Sequence, residues 1–138
     1  MLTQTFKYTA VISVITIALI TVSCGKEKAV DDNNGPVITV HLPGAGDQFD
    51  YQDTVQLSAD ISDESEIQDV TVSVITPADT IEFWPPAPVI FGNVTTYSLD
   101  DEIINGIAVG SPTDVIMRFT ASDKHDNESH VDVTIQLQ

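Results

Sequence analysis

The chain has 138 residues, a single cysteine, and 5 Lys/Arg against 21 Asp/Glu, a formal charge of −16. That balance excludes nucleic-acid binding, which needs a basic footprint to displace counterions from phosphate. The lone thiol excludes an intramolecular disulfide, so packing alone must hold the fold. In chain order the first element is an uncharged apolar run, residues 10–22 (AVISVITIALITV), preceded by one basic residue, Lys7. As a helix at ~1.5 Å per residue it spans about 20 Å, short of a ~30 Å hydrocarbon core. A short run with a basic flank, ending in a small residue, is the pattern of a cleaved secretory signal, with a short membrane anchor as the alternative.

The run stops at Thr21-Val22-Ser23-Cys24. This stretch resembles the lipobox of bacterial lipoprotein precursors of the Bacteroidota type, with a small residue directly before the cysteine. It departs from that pattern at Thr21, where the family prefers Leu. The resemblance implies that residues 1–23 are a signal peptide, and that Cys24 becomes the first residue of the mature chain. Its thiol would carry a diacylglyceryl group and its amine a third, palmitate-type chain. Stable anchoring takes about two lipid signals, and this modification supplies them. The implied location is the outer membrane, on its periplasmic or cell-surface face.

Residues 24–35 are polar or small and lack hydrophobic periodicity. They read as a flexible acidic tether with a reach of ~20 Å by the ~5–6 Å × √n rule. Removal of residues 1–23 deletes Lys7 and no acid, leaving 4 Lys/Arg against 21 Asp/Glu and a charge of −17. Such a domain is repelled by anionic lipid and stands off the membrane on its tether.

From residue 36 to 138 strand signals dominate. Ile38, Val40 and Leu42 share one parity, as do Val55, Leu57, Ala59 and Ile61 in TVQLSADIS. Val70, Val72 and Val74 follow. The segments TIEFW, VIF and VTTYSL between residues 80 and 100 read as three further short strands. Val115, Met117, Phe119 and Ala121 form the next run, and Val131, Val133, Ile135 and Leu137 the last. Period-two alternation of this length means one buried and one wet face. About seven short strands with turns every eight to twelve residues indicate an all-β, Ig-like antiparallel β-sandwich.

RFTASDKHDNESHVDVTIQL resembles the end of bacterial Ig-like domains and is similar to cadherin-type repeats. The likeness covers roughly residues 31–138 and implies fold rather than activity. The usual hairpin glycine is replaced by Asp126, which tolerates positive φ at some cost.

Four groups of candidate site residues follow. In such a sandwich Asp63, Glu64 and Glu66 share one end with Asp123, Asp126 and Glu128, and residues 31–34 reach the same end. Calcium takes six to eight hard oxygens, so Asp63, Asp123 and Asp126 are candidate metal ligands. The alternative is that Asp123 caps its turn through backbone amides while the rest are solvated. Phe83 and Trp84, before Pro85-Pro86-Ala87-Pro88, form either a surface for a sugar ring or a protein partner, or a core aromatic with prolines outside. Asp53-Thr54-Val55 and Asp79-Thr80-Ile81 resemble the O-glycosylation sequon of exported Bacteroidota proteins, with Thr54 and Thr80 as acceptors. His125 and His130 with Asp123 match no metal-site spacing, and no lipase, zinc-protease or Cys-x-x-Cys motif occurs. The sequence therefore points to a non-catalytic module with an unidentified protein or glycan partner. A structural accessory subunit or a calcium-rigidified spacer is the rival reading.

Overall fold

The protein is described by a computed structural model that covers residues 33–85 and 91–138. The signal, Cys24 and most of the tether lie outside the described residues. Among the described residues eight strands run in chain order: β1 Val37–Leu42, β2 Gln48–Phe49, β3 Thr54–Ser62, β4 Ile67–Ile75, β5 Thr80–Trp84, β6 Thr96–Ile104, β7 Thr113–Asp123 and β8 Glu128–Leu137. They form two sheets, ordered β1-β3-β6 and β2-β8-β7-β4-β5. All pairings are antiparallel except β2 with β8, which is parallel. This is the expected Ig-like sandwich, with β2 as a two-residue addition.

The core follows from the period-two pattern. Val55, Leu57, Ala59 and Ile61 of β3 face Val70, Val72 and Val74 of β4 and Val115, Met117, Phe119 and Ala121 of β7, all buried. Ile135 and Leu137 close the bottom of β8, while Val131 and Val133 nearer its start are only half-buried. The outward faces are polar. On the five-stranded sheet Arg118 pairs in bidentate fashion with Asp132, at 2.7 and 2.8 Å. On the three-stranded sheet Gln56 Nε2 donates to Glu102 Oε2 at 2.9 Å.

Three expectations are corrected. Leu42 does not share the inward face of Ile38 and Val40, because the β1–β3 register shifts between Val40 and Leu42 and leaves Leu42 45% exposed. VIF yields no strand at Phe91, and its first two residues fall outside the described set. The strand expected within VTTYSL runs on through Asp100, Asp101 and Glu102 to Ile104.

Two ends of the sandwich matter for function. The lead-in pole gathers residues 33–36, the β3–β4 turn, the segment before β6 and the β7–β8 hairpin. Here Pro36 is fully buried, and Gly35 lies so close to β8 that an added Cβ would sit 2.6 Å from Ser129 Oγ and 2.8 Å from the Glu128 carbonyl carbon. The opposite pole holds the β1–β3, β4–β5 and β6–β7 connections. There Asn105, 3% exposed, ties two loops together: its Nδ2 donates to the Asp50 carbonyl at 2.9 Å and its Oδ1 accepts from the Ile107 amide at 3.1 Å.

Candidate functional site

The lead-in pole carries an open cleft of about 890 Å³, lined by Asn33, Asn34, Gly35, Val37, Ser62, Asp63, Glu64, Thr95, Thr96 and Ser129. Four separate segments supply these groups. Two backbone bonds fix the floor: the Asp63 amide donates to the Thr95 carbonyl at 2.9 Å, and the Ile67 amide to the Val94 carbonyl at 2.8 Å. Most of the described lining residues carry an amide, carboxylate or hydroxyl, but their carbon atoms and Val37, 66% exposed, make the cleft surface an even mixture of polar and apolar. Topology thus brings residues 33–34, Asp63 and Glu64 together, as the alternation of strands predicts.

Asp123 lies at the same pole but inside the protein, with no solvent exposure. Its Oδ1 accepts the amides of His125 at 2.8 Å and Asn127 at 2.9 Å, and its Oδ2 accepts Asn127 Nδ2 at 2.8 Å. Burial pushes its carboxyl up, but these hydrogen bonds outweigh burial and hold it below the ordinary carboxylate value. Asp63 Oδ1 likewise accepts the Ser65 amide at 2.7 Å. Asp126 occupies the left-handed region at φ 62°, as its place in the hairpin demands. Among the described residues no three His, Cys, Asp or Glu side chains are arranged to hold a metal ion. Asp63 and Asp123 each hold a turn through backbone amides, and Asp126 is exposed at the hairpin corner.

Two sets of Ser, His and Asp invite a catalytic reading, and their geometry decides against a relay. Ser65 Oγ lies 3.2 Å from His125 Nδ1, and Asp123 Oδ2 lies 3.8 Å from that same nitrogen. A relay needs the acid on one ring nitrogen and the hydroxyl on the other. On the outer face Asp60 sits in the middle, accepting from Ser98 Oγ at 2.8 Å and meeting His41 Nε2 at 2.9 Å. The hydrogen bond with His41, then that from Ser98, lowers the Asp60 carboxyl below its ordinary value. His130 is exposed on the other sheet, opposite Thr120.

Trp84 takes the second of its two readings: at 3% exposed it is a core aromatic and not a stacking surface. The β4–β5 register shift between Val72 and Ser73 turns it inward opposite Val72. There its ring stacks on Tyr97 at 6.4 Å and its Nε1 donates to Asp101 Oδ2 at 2.7 Å. Phe83 is half-buried and packs against the core. That hydrogen bond, then the one from the Glu102 amide, lowers the Asp101 carboxyl below its ordinary value. In the sequence Asp101 carries no site signal beyond the parity it shares with Tyr97, Leu99 and Ile103, and in the fold it is exposed. Thr54 and Thr80 both begin strands at the opposite pole and are exposed.

No protein-family model matches the chain, and no curated protein matches it. Among solved structures, Clostridium thermocellum CbhA fibronectin(III)-like modules superpose with a TM-score of 0.46 at 17% identity, over 73% of this chain and 94% of that one. The assignment of the sandwich stands on the strand order and register described above.

Proposed function

We propose that the chain is a lipoprotein anchored through Cys24 in the outer membrane, whose sandwich is a non-catalytic binding and adhesion module with a glycan as its ligand class. The observation that carries the binding reading is the cleft at the lead-in pole. It is wide, open and lined by hydroxyl, amide and carboxylate groups, which suit a ligand rich in hydroxyls. The non-catalytic part of the reading is supported by the sequence, which carries no lipase, zinc-protease or Cys-x-x-Cys motif. The anchor reading rests on the lipobox resemblance and the charge-free run before it.

Titration of 15N-labelled protein with neutral oligosaccharides tests the binding reading. Shifts confined to Ser62–Glu64, Thr95–Thr96 and Ser129, and weakened in Thr96→Ala, are expected. Uniform silence across the oligosaccharides overturns it. The second reading, a structural accessory subunit of an outer-membrane complex or a calcium-rigidified spacer, draws on the acidic turns at Asp63 and Asp123 gathered at one pole.

A further inference from the structure

Among the described residues strand β6 is the last strand of its sheet, nine residues long and paired with β3 alone. Its register with β3 runs from Thr54↔Ile104 to Ser62↔Thr96 without a shift. A long, regular edge is a template for pairing, because alternate residues of an antiparallel strand turn their N–H and C=O groups away from the partner. No bulge interrupts this one. What it carries instead is the run Asp100-Asp101-Glu102.

The three acids are not equivalent. Asp100 and Glu102 have the outward parity, and Glu102 is held by Gln56. Asp101 has the parity of Tyr97, Leu99 and Ile103, opposite Leu57, yet it is itself exposed. Its Oδ1 accepts the backbone amide of Glu102 at 2.8 Å while its Oδ2 accepts Trp84 Nε1 at 2.7 Å. The first bond takes up a backbone donor on the edge strand. The second ties that strand to β5, the last strand of the opposite sheet. At the start of β5, Asp79 Oδ1 holds the Thr80 amide at 2.8 Å in the same manner.

We propose that Asp101 is a latch on the open side of the sandwich, joining β5 to β6 and closing the β6 edge against pairing with a second copy of the chain. The surface it guards fits such a partner. A cleft of about 300 Å³ lies beside the edge, lined by Phe83, Trp84, Asp101, Glu102, Ile103 and Ile104, and Ile104 is 58% exposed. Two β6 strands related by a two-fold axis would present the same donors, acceptors and apolar side chains to each other. Asp100 and Glu102 add repulsion between like charges, which salt screens; the bond from Asp101 to the Glu102 amide does not depend on that repulsion.

The experiment has two parts. Amide hydrogen exchange on the wild-type protein should find Glu102 protected roughly tenfold to a hundredfold over an open edge amide, as a hydrogen bond to a charged group implies. Sedimentation in about 1 M salt, where the screening length is ~3 Å, should find Asp101→Ala associating while the wild type and Asp100→Ala stay monomeric. Asp100→Ala removes the same charge from the outward parity. Unprotected exchange at Glu102, or identical sedimentation of the two folded variants, overturns the proposal. If Asp101→Ala loses its native tryptophan emission, exchange at Glu102 in the wild type decides alone.

Discussion

Replacing Asp123 with Ala removes an acceptor that serves three donors inside the β7–β8 hairpin: the His125 and Asn127 amides and Asn127 Nδ2. A hydrogen bond to a charged group is worth about 1.5–3 kcal/mol net, and a donor left buried costs about 1–3 kcal/mol. Simple addition overstates the loss, because water reaches the exposed half of the turn. A destabilisation of about 3–4 kcal/mol remains, a large share of the ~5–15 kcal/mol typical of a domain. For a domain near 100 residues each kcal/mol moves Tm by about 4–8 °C, so the fall should be about 12–30 °C. Thermal and urea unfolding of Asp123→Ala beside Asp63→Ala provide the assay. Asp63 holds a single amide, and its loss should cost about 1 kcal/mol. The pH dependence follows from the depressed Asp123 carboxyl. Its contribution is complete above the ordinary carboxylate value of about 3.9 and is lost as pH falls through the lower folded value. The gap between wild type and Asp123→Ala should therefore be constant near neutrality and close in strong acid. A loss under about 1 kcal/mol at pH 7, or a gap that widens in acid, would refute the reasoning.

Three further outcomes are expected. Asp126→Gly should leave stability unchanged or raise it by up to about 1 kcal/mol in urea unfolding, since φ 62° favours glycine, whereas Asp126→Ala should lower it. Asn105→Ala should cost about 2–3 kcal/mol and speed proteolysis of the loops on either side, because it frees the Asp50 carbonyl and the Ile107 amide near a buried position. Gly35→Ala should lower Tm through overpacking of about 1–3 kcal/mol, since its Cβ would press on the Glu128 backbone, which cannot turn aside as Ser129 Oγ can.

The strands were legible wherever alternation was unbroken. Val55 to Ile61 and Val115 to Ala121 could face only one way, since a one-residue slip would expose every apolar group. The positive φ at Asp126 was legible because its turn chemistry is local. Leu42 was misplaced because a bulge changes parity without changing composition. Asp101 was missed because an acidic run suggests solvent, and its partner Trp84 lies 17 residues away on the other sheet. The fate of Trp84 itself depends on the register shift in β4–β5, which the flanking prolines do not reveal. The cleft was half legible: topology places residues 33–34, Asp63 and Glu64 at one pole, but the contributions of Thr95, Thr96 and Ser129 depend on how the loops close.

The proposed module is tethered to the membrane at Cys24. Intact mass and membrane fractionation of the protein expressed in a Bacteroidota host, beside Cys24→Ala, test it most directly. The expected wild-type chain begins at Cys24, carries lipid-sized added mass and stays with the membrane, with the lipid and the membrane residence lost in the variant. A wild-type chain without lipid, or a variant that fractionates with the membrane as the wild type does, would contradict it.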